Sequence, residues 1–439
     1  MMRLALLKSM FMVLCLGVAG ASVAENRIDT QRADAPELAA YGEHSIGVRT
    51  LEVVNPKQIN MLKLDPAQVK PDELPRYARP LTLEVWYPAV KSRRGSTTLK
   101  AYMRDGKTQV ELHGKSVRDA KPQASKQAFP LVLISHGYPG NRFLLAHLAE
   151  NIASKGYVVV SIDHTDSTYR TKAAFSSTLV NRPVDQLFVL SQIDKMSKDN
   201  NSFLYNLVDA KNTALIGYSM GGYGAVINAG AGLTEQAASS KMAPFATLVR
   251  HQSGIKPNVD KRFKTVVAFA PWGMNYHVWN NDTLNEVSVP MLLIAGSQDD
   301  VSGYENGTRA IWQGITGVDR SLLTYDNANH NAGAVMPAPE ESYVFDQELG
   351  FNISEHYIDA VWDNTRMNNI AQHFVTAWLD KYLQKNSAMD AYLDLIPNSN
   401  AGVFALDENG DPKAEHTYWK GFTERTAKGL HFERLSPSK

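Results

Sequence analysis

Thr213-Ala-Leu-Ile-Gly217-Tyr218-Ser219-Met220-Gly221-Gly222-Tyr-Gly224 reads as a short apolar strand, a glycine-flanked serine and the small-residue start of a helix. A serine on so sharp a strand-to-helix turn has its hydroxyl raised above the sheet, the posture of a nucleophile. The turn needs glycine for a steric reason: Cβ atoms two residues before and two residues after the serine would collide with neighbouring backbone. Gly217 and Gly221 occupy those two places. The same string also arises by chance in an inert glycine-rich turn, so the surrounding chain has to decide between the two.

Outward from this turn, apolar strands alternate with helices. Residues 129–135, 157–162, 264–270, 290–295 and 321–325 read as buried strands, the last of them closing the sheet. Helices are predicted over 143–155, around 184–196, from 220 to about 232, over 304–315, and along a continuous apolar stripe from Met367 to Leu383. Strands apolar throughout and separated by helices imply a parallel sheet covered on both faces, an α/β fold. Residues 41–54 and 81–87 alternate instead and supply an antiparallel N-terminal edge, while 91–127, rich in Lys, Arg, Ser and Gly, reads as a surface insertion or a flexible linker. Residues 25–127 thus belong to the same fold as the catalytic domain over 128–439, and 163–210 and 233–262 are candidate covers for a site.

Chain order tests the serine. On a nucleophile elbow of an α/β-hydrolase fold the acid and then the histidine follow, each on a loop at the carboxyl end of a later strand. The strand at 290–295 runs into Gly296-Ser-Gln-Asp299-Asp300, and the strand at 321–325 into Asp326-Asn-Ala-Asn-His330. Ser219, Asp299 and His330 are therefore the expected triad, with Asp300 the rival acid. Two backbone N–H groups are needed for an oxyanion: that of Met220, after the nucleophile, and one from the loop Ser135-His136-Gly137-Tyr138-Pro139, where Tyr138 is the expected donor because Pro139 has no N–H. His136 suits a structural hydrogen bond within that loop. Trp272, in Ala270-Pro271-Trp272-Gly273, is expected to wall a substrate pocket together with Tyr138. Asp163-His164-Thr165-Asp166 suits loop hydrogen bonding rather than a metal site, and Asp407-Glu-Asn409-Gly410-Asp411 a turn rather than a calcium loop. No metal or cofactor is expected.

The 439 residues balance 45 basic against 45 acidic side chains, which gives no pointer to nucleic acid. Arg3 and Lys8 precede an apolar run that ends in Ser22-Val23-Ala24, the pattern of a secretory signal peptide over 1–24 and too short for a membrane anchor. The only cysteine, Cys15, falls within it, so the exported protein is expected to have neither a disulfide nor a thiol nucleophile. A periplasmic or extracellular protein without stable membrane insertion follows.

Leu81-Thr-Leu-Glu-Val-Trp86-Tyr87-Pro88, Ser135-His136-Gly137, the Ser219 elbow, Gly296-Ser-Gln-Asp299 and Asn329-His330 together resemble secreted bacterial α/β-hydrolases of the dienelactone hydrolase-like and platelet-activating-factor acetylhydrolase-like group. The elbow with Met220, the tyrosine loop and the Pro-Trp pair are also similar to cutinases and polyester hydrolases. The resemblance implies a serine ester hydrolase acting on a small or polymeric ester, with Tyr138 and Met220 as oxyanion donors and Trp272 facing substrate. Two departures stand out: dienelactone hydrolases use cysteine where this chain has Ser219, and the C-terminal disulfide of many polyester hydrolases has no counterpart here. A peptidase or acyltransferase on the same fold, or a catalytically silent binding protein, are the alternatives.

Overall fold

Largely apolar strands build the centre of the sheet. A computed structural model describes residues 25–63, 74–92, 94–172, 175–238 and 259–438; the expected signal peptide and most of the 233–262 excursion lie outside them. Ten strands form the main sheet: β1 (Ser45–Ile59), β2 (Arg76–Ala89), β3 (Val117–Arg118), β4 (Phe129–Ser135), β5 (Val158–Asp163), β6 (Val208–Tyr218), β7 (Phe263–Phe269), β8 (Met291–Gly296), β9 (Arg320–Tyr325) and β10 (Leu430–Leu435). Their order is β10-β9-β8-β7-β6-β4-β5-β2-β1-β3. From β5 through β4 to β9 every neighbour is parallel, whereas β1 and β2 form an antiparallel flank beside β5. This is the α/β-hydrolase fold.

Alternation along each strand divides the core in two. In β4, Val132 and Ile134 face one layer and Leu131 and Leu133 the other; in β8, Leu292 and Ile294 oppose Met291 and Leu293. The first layer is completed by α1 (Ala146–Ala153) and, further along the chain, by Phe374 and Trp378 of the long helix Asn364–Tyr382. The second is completed by α2 (Phe175–Met196) and α3 (Met220–Asn228). Burial on both faces is why these strands lack the polar alternation of the N-terminal pair.

The structure differs from the sequence reading in three places. The strand at 321–325 does not close the sheet: β10 pairs with β9 antiparallel, from Arg320 against Leu435 to Tyr325 against Leu430. The helix expected around 184–196 begins instead at Phe175 and carries Pro183 in its interior. Proline lacks the N–H an interior residue contributes, so it reads as a boundary, but Asn228 Nδ2 donates to the Pro183 carbonyl at 3.1 Å and the preceding turns are buried. Within 91–127, strands Thr98–Tyr102 and Gln109–His113 pair in a small three-stranded sheet with Asn26–Arg27. Leu99, Ala101, Val110 and Leu112 are buried in the first core layer, so this segment is packed rather than a flexible linker.

Candidate active site

β4, β6, β7, β8 and β9 run parallel, so the loops after them emerge at one edge of the sheet, where open α/β sheets gather their ligands. The loops carrying Tyr138, Ser219, Trp272, Asp299 and His330 follow these strands in that order.

Ser219 caps α3 with φ 52° and ψ −112°, a conformation unfavourable for any residue with a Cβ. Backbone bonds to the end of β7 and to the loop after it hold it there: its N–H donates to Phe269 O at 2.9 Å, and Trp272 N–H donates to its carbonyl at 3.2 Å. A Cβ on Gly217 would stand 2.2 Å from Gly221 O, and one on Gly221 would stand 1.9 Å from Ser135 O. Both obstacles are backbone, so neither site admits a side chain without moving the turn.

His330 Nδ1 lies 3.0 Å from each carboxylate oxygen of Asp299. Asp299 also accepts the N–H groups of Val301 and Ser302, each at 2.9 Å. Burial pushes its pKa up, but the His330 hydrogen bond, the charge of that ring and the two N–H groups outweigh burial and hold it below the ordinary carboxylate range. Asp300 is exposed and, among the described residues, makes no hydrogen bond to His330. The two loops meet because of Gly296, where a Cβ would stand 2.2 Å from Ala328 O and 2.4 Å from Asn329 O.

Ser219, His330 and Tyr138 line one cavity of about 550 Å³. Trp272 is not among the residues lining it. Its ring is 7% exposed, stacked on Tyr276 at 4.6 Å and edge-on to Phe175 at 5.1 Å, and Phe175 in turn meets Tyr138. Phe175, the first residue of α2, thus touches both the tryptophan and Tyr138 of this cavity's wall. Met220 is buried at the first position of α3.

Four further wall residues had no sequence motif to announce them: Arg104, and Phe351, His356 and Ile358 from the stretch after His330. His356 Nε2 faces the Tyr169 hydroxyl at 2.8 Å, and burial, with Arg104 nearby, lowers its pKa to about 3.

Beneath the Tyr138 loop lies a buried polar network. His136 Nδ1 is 2.7 Å from Gly137 O, and its Nε2 accepts the His164 N–H at 3.3 Å. Arg182 donates to the carbonyls of His136 and Gly137 and, at 2.7 Å, to Ser167 Oγ. Asp166 pairs with Arg79 at 2.9 Å, and Asp163 takes Arg142. Asp407 accepts from the N–H groups of Asn409 and Asp411, both at 2.9 Å, within a turn. Among the described residues no group of three or more histidines and acids is placed to hold a metal ion, and no helix is long and apolar enough to cross a membrane.

A family model described as PET hydrolase-like (PETase) matches residues 120–259. That segment holds the Tyr138 loop and the Ser219 elbow and ends before Asp299. Cutinase est1 of Thermobifida alba is 26% identical over 203 residues, 46% of this chain and 53% of that protein. Cutinase cut1 of Thermobifida fusca is 27% identical over 203 residues, 46% of this chain and 49% of that protein. The chain is an α/β-hydrolase related to the cutinases and polyester hydrolases. This α/β-hydrolase spans about half the length of the curated relatives it matches. A solved ferulic acid esterase from Streptomyces cinnamoneus superposes with TM-score 0.48 at 19% identity, over 84% of this chain and 96% of that one.

Proposed function

We propose that this α/β-hydrolase is an exported serine hydrolase that cleaves carboxylic esters through an acyl-enzyme. One observation carries the reading: a histidine hydrogen-bonded to a buried carboxylate lines the same cavity as a serine held at positive φ. Ser219 attacks the ester carbonyl, His330 takes its proton and hands it to the leaving alcohol, and water then repeats the sequence on the acyl-enzyme. Asp299 fixes the ring with Nδ1–H toward itself, leaving Nε2 to act as base. The N–H groups of Met220 and Tyr138 receive the charge that develops on the carbonyl oxygen; losing one such donor costs about 10²–10³ in rate. The cutinase and PET hydrolase-like relatives favour an ester over a peptide bond, and both small and polymeric esters fall within this reading. Export rests on residues 1–24, and the finer likeness to the dienelactone hydrolase-like group on the quoted motifs.

The test is hydrolysis of p-nitrophenyl esters from acetate to laurate, with Ser219→Ala as control. Turnover abolished in the variant is the expected result. Absence of turnover by folded wild-type protein on every ester would overturn the reading.

A further inference from the structure

The turn over residues 103–108, between the strands Thr98–Tyr102 and Gln109–His113, carries Arg104 into the wall of the cavity that holds Ser219 and His330. Three contacts fix the turn there. Asn141 Nδ2 donates to the Tyr102 carbonyl at 2.8 Å, tying it to the Tyr138 loop. Gly106 lies so close to Tyr169 that a Cβ would be 2.5 Å from its carbonyl oxygen. Lys107 pairs with Glu348 at 2.7 Å, joining the turn to the stretch after His330.

Arg104 itself is half-buried, with its guanidinium carbon 5.7 Å from the centre of the Phe351 ring. Among the described residues its side chain has no ion pair and no hydrogen bond, although acids are close at hand. All but Asp300 take other partners. Asp105 accepts the N–H groups of Lys107 and Thr108, Asp346 those of Glu348 and Leu349, and Glu355 that of Asn352. Glu348 holds Lys107, and Asp300, which shares the cavity, is exposed to water. Two arginines below the site differ, Arg79 and Arg142, each matched by two carboxylates.

A half-buried guanidinium with no hydrogen-bonded partner among the described residues keeps its N–H fork open toward the cavity, and neither Glu355 nor Asp300 in the same wall fills it. Its planar fork matches a carboxylate through two parallel N–H···O bonds. We infer that Arg104 recognises a carboxylate, and that the preferred substrate of this site is an ester carrying a free carboxylate group. The inference rests on the ester-hydrolase reading above. Such a molecule offers its ester carbonyl to Ser219 while its anionic end meets Arg104. The carboxylate sits on the acyl part, as in a hemiester of a diacid, or on the alcohol part, as in an acylated hydroxy acid.

Two pairs of esters separate these cases: monoethyl against diethyl adipate, and 4-acetoxybutanoate against butyl acetate, followed by titration of the acid released by the full chain. The wild type is expected to favour the anionic member of at least one pair in kcat/KM by about tenfold or more. Arg104→Gln lowers that preference by about 10- to 100-fold, and Arg104→Lys restores part of it. Equal or poorer turnover of the anionic member in both pairs overturns the inference without any variant, as does a preference that survives Arg104→Gln. Failure to cleave any of the four esters by protein that turns over p-nitrophenyl esters overturns this inference alone, whereas failure on both sets removes the hydrolase reading and this inference with it.

Discussion

Ser135 Oγ lies 2.8 Å from Nε2 of His164, and Asp185 takes the other ring nitrogen at 2.9 Å. This second serine–histidine–aspartate chain is wholly buried beneath the first. Burial, aided by the charges of Arg182 and Arg79, holds the His164 imidazole well below its ordinary pKa. Asp185 is already committed to Arg79 through two bonds, at 2.9 and 2.8 Å. The arrangement braces β4 against α2 and offers no hydroxyl to a substrate. A fluorophosphonate probe is therefore expected to label Ser219 alone, read by peptide mapping. Ser135→Ala keeps that label and lowers unfolding free energy by about 1–2 kcal/mol. A label on Ser135 would contradict the assignment.

Arg182 is expected to govern rate through a peptide it holds from behind. The carbonyl of Gly137 and the N–H of Tyr138 belong to one planar unit and point in opposite directions. Arg182 and His136 bracket that carbonyl at 3.4 and 2.7 Å, which turns the Tyr138 N–H the other way. Burial lowers the guanidinium to about 9, leaving it charged at neutral pH. Arg182→Met is predicted to reduce kcat about 10- to 100-fold with KM changed less than about threefold. A lower melting temperature with kcat intact would make Arg182 a scaffold residue only.

Gly296→Ala tests the meeting of the acid and histidine loops. The methyl group would face the Ala328 and Asn329 carbonyl oxygens within 2.4 Å, and backbone cannot rotate away as a side chain can. Loss of about 2–4 kcal/mol of stability and at least about 100-fold in kcat/KM is expected, from denaturant titration and ester kinetics. Wild-type kinetics in this variant would show that the Asp299–His330 contact is unnecessary.

Acid should unfold the protein through histidines remote from the chemistry. Burial lowers His147 and His373, like His356, to about 3, whereas an unfolded chain protonates histidine near 6.5. Between those values the unfolded state binds protons that the folded state excludes. The contribution of these rings is therefore constant above about pH 6.5 and falls as pH drops toward 3, by up to about 1.4 kcal/mol per pH unit for each ring. His147 makes the sharpest test, since neither of its ring nitrogens has a partner among the described residues. His147→Leu should flatten the slope by one such increment between pH 6 and 4.5 in urea titrations, at little cost at pH 7.5. An unchanged slope would remove His147 from the account.

The meeting of Asp299 with His330, on the cavity that Ser219 lines, was legible because loop order after consecutive apolar strands is a one-dimensional signal, and Asp299 rather than Asp300 as the partner because it stands three residues after Gly296. Arg104 was not, since it reaches the cavity from a turn whose supports, Asn141, Tyr169 and Glu348, lie far away in sequence. The same holds for the partners of His164: Ser135, Asp185 and Arg79 come from three elements with no common spacing. Trp272 was read as facing substrate because its loop leaves the right edge of the sheet. Its edge-on neighbour Phe175, which also meets Tyr138, belongs to turns of α2 hidden behind Pro183.

The pairing of β10 with β9 sets when, during synthesis, this molecule acquires its site. β9 carries His330 at its carboxyl end and remains an open sheet edge until Leu430 to Leu435 can dock on it. A ribosome adding about 5–20 residues each second places that docking several seconds after β9 itself is made. Through that interval the residues of the Ser219 turn are already made while one edge of the strand that leads to His330 lacks its partner. The strand that leads to His330 thus gains its second neighbour from a segment made about a hundred residues later.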